Sequence, residues 1–201
     1  MIYEFQGIRP VVHPSAFVHP QANVTGNVLI GPDCYIGPFC ALRGDWGQIV
    51  LHAGVNVQES CTVHMFPGRQ TILRAGTHVG HGAVVHGADV GENVLIGMNA
   101  VLMDEVLIEE ECIIGALSFV KARMHVPRRS LLVGNPGKVI KPVSDTMLRW
   151  KTEGTKIYQH LPQQLHDTLR ECEPLREVPA ERGVQAGAYA PWKVFGQSRP
   201  K

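Results

Sequence analysis

A six-residue repeat runs through most of this chain and limits the folds that it can adopt. From Val24 onward an aliphatic residue returns at every sixth position and is often followed by glycine. The repeat falls into runs separated by shifts of phase: Val24, Ile30, Ile36 and Leu42; Leu51, Val57 and Val63; Leu73, Val79 and Val85; Val90, Ile96, Leu102, Ile108, Ile114 and Val120. A helix repeats at about 3.6 residues and a strand at about 2, so neither explains the spacing.

Six-residue steps are typical of a parallel β-helix, whose coil has three flat sides. The aliphatic residue would point inward, and Gly, Asn and Asp would form the corners, where positive φ costs them little. With about 18 residues per coil, residues 11–139 would make roughly seven coils. The longest irregular piece lies within Met65–Gln70. The alternative is a β-sandwich, but its strand spacing is typically uneven.

The composition changes where the repeat ends, within Val133–Pro142. The next segment is rich in Leu, Gln, Lys, Arg and Glu, and the last segment is rich in Pro and Gly. We therefore predict a β-helix domain over 1–142, C-terminal helices over 143–172 and an extended tail over 173–201.

Apolar residues recur at helical spacing after the repeat: Met147, Leu148, Trp150, Ile157, Tyr158, Leu161, Leu165 and Leu169. Ser144 or Asp145 could cap the start of the helix. Gly154 and Pro162 are expected to divide the segment into two helical pieces, because proline removes a backbone donor and both residues disfavour helix interiors. The apolar stripe is expected to pack against the β-helix or a neighbouring chain.

The charge balance gives no reason to expect nucleic acid or an anionic membrane as a partner. The chain has 19 basic and 18 acidic residues, a formal net charge of +1. It has no apolar run long enough to cross a bilayer, and its first residues lack the features of a signal peptide. Its five cysteines are scattered and form no CxxC pair. These features favour a cytoplasmic protein with reduced thiols.

Three histidines form the strongest candidate for metal chemistry. His64 and His86 each directly follow an aliphatic repeat position, so they should leave the coil in the same way, whereas His81 should leave differently. Adjacent coils are about 4.8 Å apart, so side chains from neighbouring coils can converge. Three neutral imidazoles with one open position are typical of catalytic zinc. Each histidine could instead be an ordinary surface residue, as we expect for His78.

A second group of polar residues lies one or two coils earlier. Arg43 and Asp45 are two apart on a predicted strand, so they share a face and can pair. Gln58, two residues after Asn56, carries a neutral amide that could hydrogen-bond a metal-bound water or a substrate oxygen. Glu59 has the opposite parity and could be a catalytic carboxylate or a solvated one.

Taken in order, these motifs resemble the γ-class carbonic anhydrases over about residues 10–142. The matching elements are R-G-D at Arg43–Asp45, N-x-Q at Asn56–Gln58, His64, and G-H-x-A-x-x-H-G at Gly80–Gly87. Within that family the chain is similar to the branch of phenylacetate-degradation and carnitine-operon proteins. Four segments carry this closer likeness: Ile96–Asp104, Gly115–Ala122, Arg149–Gln159 and Glu173–Val178.

The resemblance implies a left-handed β-helix that assembles as a homotrimer with three metal sites at the subunit boundaries. His64 and His86 would come from one chain and His81 from its neighbour. Zinc is the usual ion, and iron or cobalt is also accepted.

The resemblance also implies roles for the second polar group. Arg43 and Asp45 would stabilise the subunit boundary, and Asn56 and Gln58 would line the site.

The resemblance implies an activity as well. The best-studied γ-class carbonic anhydrase has an acidic residue after the R-x-D element and an acidic loop, whereas here Trp46 follows Asp45 and Met65–Gln70 holds no carboxylate. The branch implies hydrolysis of acyl-CoA thioesters in phenylacetate degradation, which we take as the first hypothesis. Carbonic anhydrase activity is the second. An acyltransferase is the third, because Val133–Lys138 resembles the end of the β-helix in those enzymes. A scaffold held together by metal is the fourth.

Overall fold

The computed structural model of this chain describes residues 1–183 and 189–192, in which twenty short strands precede one helix. The first ten strands are β1 (Ile2–Tyr3), β2 (Val11–Val12), β3 (Phe17–Val18), β4 (Asn23–Ile30), β5 (Tyr35–Ile36), β6 (Ala41–Leu51), β7 (Asn56–Val57), β8 (Thr62–His64), β9 (Gln70–Leu73) and β10 (His78–Val79). The others are β11 (Val84–His86), β12 (Asp89–Val90), β13 (Leu95–Ile96), β14 (Val101–Leu102), β15 (Leu107–Ile108), β16 (Ile113–Ile114), β17 (Phe119–Val120), β18 (His125–Val126), β19 (Ser130–Val133) and β20 (Lys138–Pro142).

These strands form the three faces of a prism. Face one stacks the first half of β6 with β8, β11, β14 and β17, and face two stacks its second half with β9, β12, β15 and β18. Face three runs from β3 through β5, β7, β10, β13, β16 and β19 to β20. Of its eight strands only β20 is antiparallel, so seven parallel strands mark seven coils. The predicted left-handed parallel β-helix is confirmed.

The interior of the prism consists of the repeat residues. All sixteen aliphatic positions named from the sequence are at most 3% exposed. Burial of one such side chain contributes about 1.5–3 kcal/mol, so the stacked rows supply most of the stabilisation of the β-helix. Residues 65–69 separate β8 from β9, within the segment Met65–Gln70 that the sequence predicted to be irregular.

The corners were predicted only in part. Asn93, Asn99 and Gly82 have positive φ, as expected for these residue types. Phe39 and Leu117 also have positive φ, 61° and 59°, although such side chains disfavour it. The stacking of coils fixes the backbone path at each corner, and the surrounding hydrogen bonds maintain a conformation that these residues would avoid in isolation.

The C-terminal segment forms one helix, α1 (Asp145–Thr168), so the expectation of two helical pieces is wrong. The Ser144 hydroxyl caps it by accepting a bond from the backbone N–H of Met147 at 3.3 Å. Pro162 lies inside the helix and removes only one backbone hydrogen-bond donor. The other hydrogen bonds of the helix and its packing against the β-helix offset this loss. Gly154 allows close approach of another segment, because a Cβ atom there would lie 2.7 Å from Tyr189 Oη.

Helix α1 runs back along face three, opposite to the direction in which the coils advance. Near its start, Lys151 Nζ donates to the Gly76 carbonyl at 2.8 Å. Near its end, His166 Nε2 lies 3.1 Å from the Ala16 carbonyl. The helix approaches β3, β5 and β7 most closely. Its first half and the later strands of face three enclose a groove, described below.

The chain after α1 has no helix or strand over residues 169–183. The predicted extended tail also includes residues 184–188 and 193–201, which lie outside the described residues. Within the part of the chain that the structure describes, no helix has the length and apolarity needed to span a membrane.

Candidate metal centre

His64 and His86 face each other on adjacent strands of face one. They are register partners of β8 and β11, which confirms that they leave the coil in the same way. His64 Nδ1 lies 3.3 Å from His86 Nε2. The shared phase of the repeat therefore brings two imidazole nitrogens to one point.

Each of these rings has a carboxylate on its outer nitrogen. Asp104 Oδ1 lies 2.7 Å from His86 Nδ1, and Asp45 Oδ1 lies 2.9 Å from His64 Nε2. A carboxylate accepts the proton of the nitrogen that it contacts and leaves the opposite nitrogen with its lone pair. In the neutral rings, both facing nitrogens are therefore acceptors.

Arg43 also approaches this pair. Its Nη2 lies 3.1 Å from His64 Nε2, and its Nη1 lies 3.7 Å from Asp45 Oδ2. Nε2 can satisfy only one of the two neighbours, and the charged, closer Asp45 carboxylate is the stronger partner. The predicted pairing of Arg43 with Asp45 is confirmed, with Arg43 half-exposed on the outer side.

The donor set fits a divalent transition metal. Two lone pairs that face each other at 3.3 Å repel unless a cation or a proton lies between them. Zinc binds imidazole nitrogen at about 2.0–2.1 Å in tetrahedral geometry, which places two ligand nitrogens about 3.3 Å apart. Across residues 1–183 and 189–192, however, no three His, Cys, Asp or Glu side chains of one chain converge as a metal site. A single chain therefore brings together two of the three histidines that the sequence predicted as ligands.

His81 lies at the corner after β10 and belongs to a different cluster within the chain. Its Nδ1 lies 2.5 Å from Glu59 Oε2, and its side chain is 47% exposed. Glu59 Oε1 accepts a bond from the Tyr35 hydroxyl at 2.8 Å. Burial opposes ionisation of Glu59, but bonds from its own backbone N–H and from Tyr35, together with His81, lower its pKa. Glu59 is therefore a partner of His81 rather than a solvated carboxylate.

Asn56 and Gln58 are buried on face three next to a residue that sequence reasoning placed in solvent. Gln58 Nε2 donates to Asn56 Oδ1 at 3.1 Å and lies 2.6 Å from His78 Nε2. The expectation that His78 faces solvent is wrong, because α1 covers it. Its pKa is lowered to about 3 by burial and then by the charges of Lys151 and His81.

The network around Gln58 continues into α1. Thr155 Oγ1 lies 3.5 Å from His78 Nδ1 and donates its own proton to the Lys151 carbonyl at 3.1 Å. Thr155 can therefore only accept from His78, which assigns the proton of His78 to Nδ1 and a lone pair to Nε2. Both amide hydrogens of Gln58 are then used, and within residues 1–183 and 189–192 its Oε1 has no hydrogen-bond partner.

Two aromatic rings flank the histidine pair. The rings of Trp46 and His64 have centroids 5.2 Å apart, and so do those of Phe66 and His86. Both aromatic residues are more than half exposed in the isolated chain. They place apolar surface beside the donor atoms, which favours exclusion of water when this face is covered.

Asp104 and His78 are the site residues that sequence reasoning missed. Asp104 follows His86 by 18 residues, but the coil between β11 and β14 spans 17, so the repeat pairs His86 with Met103 and gave no signal for Asp104. No spacing marked His78 either, because its partner Thr155 comes from α1, 77 residues away.

The fold defines the chain as a hexapeptide-repeat β-helix protein. Residues 87–122 match the family of bacterial transferase hexapeptide proteins (six repeats). The carnitine operon protein CaiE of Escherichia coli O157:H7 is 46% identical over 180 residues, which cover 90% of this chain and 92% of that protein. This chain therefore belongs to the family of the carnitine operon protein CaiE.

Solved structures have the same fold. A Bacillus cereus protein described as a candidate acetyltransferase is 30% identical with a TM-score of 0.81, covering 83% of this chain and 96% of that one. A hexapeptide transferase family protein from Anaplasma phagocytophilum is 26% identical with a TM-score of 0.78, covering 81% of this chain and 96% of that one.

Proposed function

We propose that this protein is a metal-dependent hydrolase of acyl-CoA thioesters, acting in the phenylacetate-degradation branch that its sequence resembles. The observation that supports this most is the pair of facing nitrogens of His64 and His86, 3.3 Å apart. Asp45 and Asp104 hold both rings with their lone pairs inward. A divalent ion, zinc or alternatively iron or cobalt, would lower the pKa of water toward 7 and so supply hydroxide at neutral pH.

The proposed active form is a homotrimer in which the neighbouring chain supplies His81. This residue has the properties of a third ligand, because its side chain is 47% exposed and Glu59 holds its Nδ1. Nε2 is then the free nitrogen, and the carboxylate partner parallels that of the other two histidines. In this assembly Arg43 and Asp45 would lie at the subunit boundary, and the neighbour would cover Trp46.

Gln58 would orient the attacking water rather than stabilise an oxyanion. Its free end is Oε1, an acceptor, so it can hold a proton of the water but cannot donate to a substrate oxygen. The water oxygen attacks the thioester carbonyl carbon and the carbon–sulfur bond breaks. The CoA thiol then leaves with a proton, and the carboxylic acid remains. Asn56 supports Gln58, because its Oδ1 accepts one of the two amide hydrogens.

Acyl transfer is the second candidate function, because two structures that this chain resembles are described as transferases. Both activities cleave an acyl thioester and differ in the acceptor, which is water in one and an amine or alcohol in the other. The pair of histidines, each bonded to a carboxylate, favours the hydrolase. Transferases of this fold that rely on a single histidine base do not need a second histidine beside it. Carbonic anhydrase activity and a metal-held scaffold remain the other hypotheses.

The deciding experiment compares zinc-loaded and metal-stripped protein on aryl- and hydroxyacyl-CoA thioesters, with and without amine acceptors, and on CO2 in parallel. Release of free acid that depends on zinc and not on the amine would support the proposal. Amine-dependent turnover without metal would establish the transferase, and CO2 hydration with inert thioesters would establish the anhydrase. Stoichiometric zinc without turnover of any substrate would support the scaffold that is held together by metal.

Variants show whether the chemistry lies at the histidine pair. His86→Ala should abolish both bound zinc and turnover, and His81→Ala should do the same if a neighbour supplies that ligand. His160→Ala is the matched control, because His160 is exposed on α1 far along the sequence from the pair. Metal content is measured by elemental analysis, separately from activity. Activity that persists in a zinc-free His86→Ala variant would refute the mechanism.

A further inference from the structure

A long apolar groove lies between α1 and face three and begins at the proposed reaction site. Its volume is about 800 Å³, within the range of about 300–1,000 Å³ that is typical of small-molecule sites. Gln58, His78 and His81 line one end. The proposed chemistry and the groove thus share two residues, Gln58 and His81.

The two walls of the groove are apolar. On the side of face three, Leu95, Ile113 and Leu131 come from β13, β16 and β19, at equivalent positions of three successive coils. On the side of α1, Trp150 and Ile157 face them. In the two preceding coils the same outward row carries Asn56 and His78, so along the groove the row changes from polar to aliphatic.

Aromatic rings cover part of the groove. Trp150 Nε1 donates to the Ala190 carbonyl at 3.0 Å, which holds Ala190 beside the start of α1. The Tyr189 ring stacks on Trp150 at a centroid distance of 5.9 Å, and the Trp192 ring meets it edge-on at 5.7 Å. All three rings line the groove. Large flat surfaces of this kind bind aliphatic chains and aromatic rings well.

The charges of the groove exclude a phosphate-bearing ligand. Among the described lining residues, Lys151 is the one acidic or basic side chain besides the histidines. Its Nζ already donates to the Gly76 carbonyl and to Asn93 Oδ1, at 2.8 and 2.5 Å. His78 is neutral and is held by Gln58. The nucleotide part of CoA would therefore remain outside, and only an uncharged group fits within.

We propose that this groove binds the acyl group of the substrate, with the thioester carbonyl at Gln58 and His81 and the acyl chain directed toward Trp150. The ligand class is an apolar acyl group of about six carbons or more, aliphatic or aromatic, because an acetyl group would leave most of the volume empty. This assignment rests on the proposed function for the position of the carbonyl.

The kinetic test varies the acyl group and fills the groove. For the natural sequence, kcat/KM for hexanoyl-CoA and phenylacetyl-CoA should exceed that for acetyl-CoA by at least about tenfold. Ile157→Trp, at a half-exposed position that tolerates a larger side chain, should lower kcat/KM for hexanoyl-CoA and phenylacetyl-CoA toward the value for acetyl-CoA and so remove this preference. The matched control is Leu107→Trp, which alters a half-exposed leucine on face two and should preserve the preference.

The binding test needs no turnover. Substitution of Trp46 and Trp192 by Phe leaves Trp150 as the sole tryptophan, since the chain has three. Its fluorescence is followed on titration with S-hexyl-CoA, a thioether that cannot be hydrolysed, and with S-methyl-CoA. We expect S-hexyl-CoA to shift the Trp150 emission at a concentration at least about tenfold lower than S-methyl-CoA.

The outcomes separate the groove from the proposed activity. Hydrolysis with equal rates for all acyl lengths, unaffected by Ile157→Trp, would overturn the acyl-binding groove and leave the hydrolase intact. Selective binding of S-hexyl-CoA at Trp150, with no hydrolysis of the acyl-CoA thioesters, would support the acyl-binding groove and refute the hydrolase. Equal response to both thioethers would refute the groove in either case.

Discussion

The side-chain amide nitrogen of Gln58 lies 2.6 Å from Nε2 of His78, and this contact determines which end of the amide is free. His78 must accept, because its other nitrogen donates to Thr155. One histidine under α1 thus orients an amide at the proposed reaction site.

We therefore predict that His78→Leu lowers kcat for thioester hydrolysis about tenfold with little change in KM, because Gln58 loses its fixed orientation. The measurement is a double-mutant cycle with Gln58→Ala. If His78 acts through Gln58, adding His78→Leu to Gln58→Ala has no further effect on kcat. Equal effects in both backgrounds would mean that His78 has only a general structural role. His125→Leu, at an exposed histidine of β18, is the control.

Asp104 should control metal affinity without being a ligand. Asp104→Asn removes the charge that holds the proton on His86 Nδ1, so zinc affinity should fall about 10–100-fold. Competition with a zinc chelator of known affinity measures this directly. Glu105→Gln removes the adjacent carboxylate, which pairs with Arg69 and Arg123, and should leave the affinity unchanged. Unchanged affinity in Asp104→Asn would contradict the carboxylate–histidine arrangement.

Lys151 should make stability depend on pH. Burial lowers its pKa from 10.5 to about 7, so between these values the folded chain holds it neutral while the unfolded chain holds it protonated. The unfolded state then binds more protons, and the free energy of unfolding rises with pH by up to about 1.4 kcal/mol per pH unit. Below the folded pKa both states are protonated and the contribution is constant.

Lys151→Met should remove that rise, and Lys156→Met, at an exposed position of α1, should retain it. Urea unfolding at about pH 7 and pH 10 gives the free energy of unfolding of each variant, and the difference between the two pH values gives its pH dependence. The other titrating groups are common to both variants, so their contribution cancels when the two are compared. Identical slopes for the two variants would show that the bonds to Gly76 and Asn93 keep Lys151 charged.

Cys172 should be the only cysteine of the native chain that reacts quickly with a thiol reagent. It is exposed, whereas Cys34, Cys40, Cys61 and Cys112 are buried. Burial also raises the pKa of Cys34 to about 12 and that of Cys112 to about 11, which removes their reactive thiolate. Titration with a chromogenic disulfide should give one equivalent at once, and none in Cys172→Ser. More than one fast equivalent would show that the β-helix opens.

The repeat also determined the histidine pair. Because each coil repeats the same path, residues of equal phase on successive coils become neighbours, and His64 and His86 could be paired from spacing alone. The same reasoning does not reach Asp104, because Val85 pairs with Leu102 and the position equivalent to His86 on the next coil is Met103. The identity of the ion and the contribution of His81 from a neighbour are still predictions.

The sequence by itself determined the β-helix, its buried rows and the position of the helical segment, because the contacts within a solenoid are set by local spacing that recurs from coil to coil. Only the tertiary structure decided what α1 does. Its return along face three covers His78, aligns Thr155 with it and encloses the groove, and no periodicity in the chain encodes where a helix of one face will meet a distant strand. These contacts join residues up to 150 positions apart, and they depend on the packing of the whole molecule.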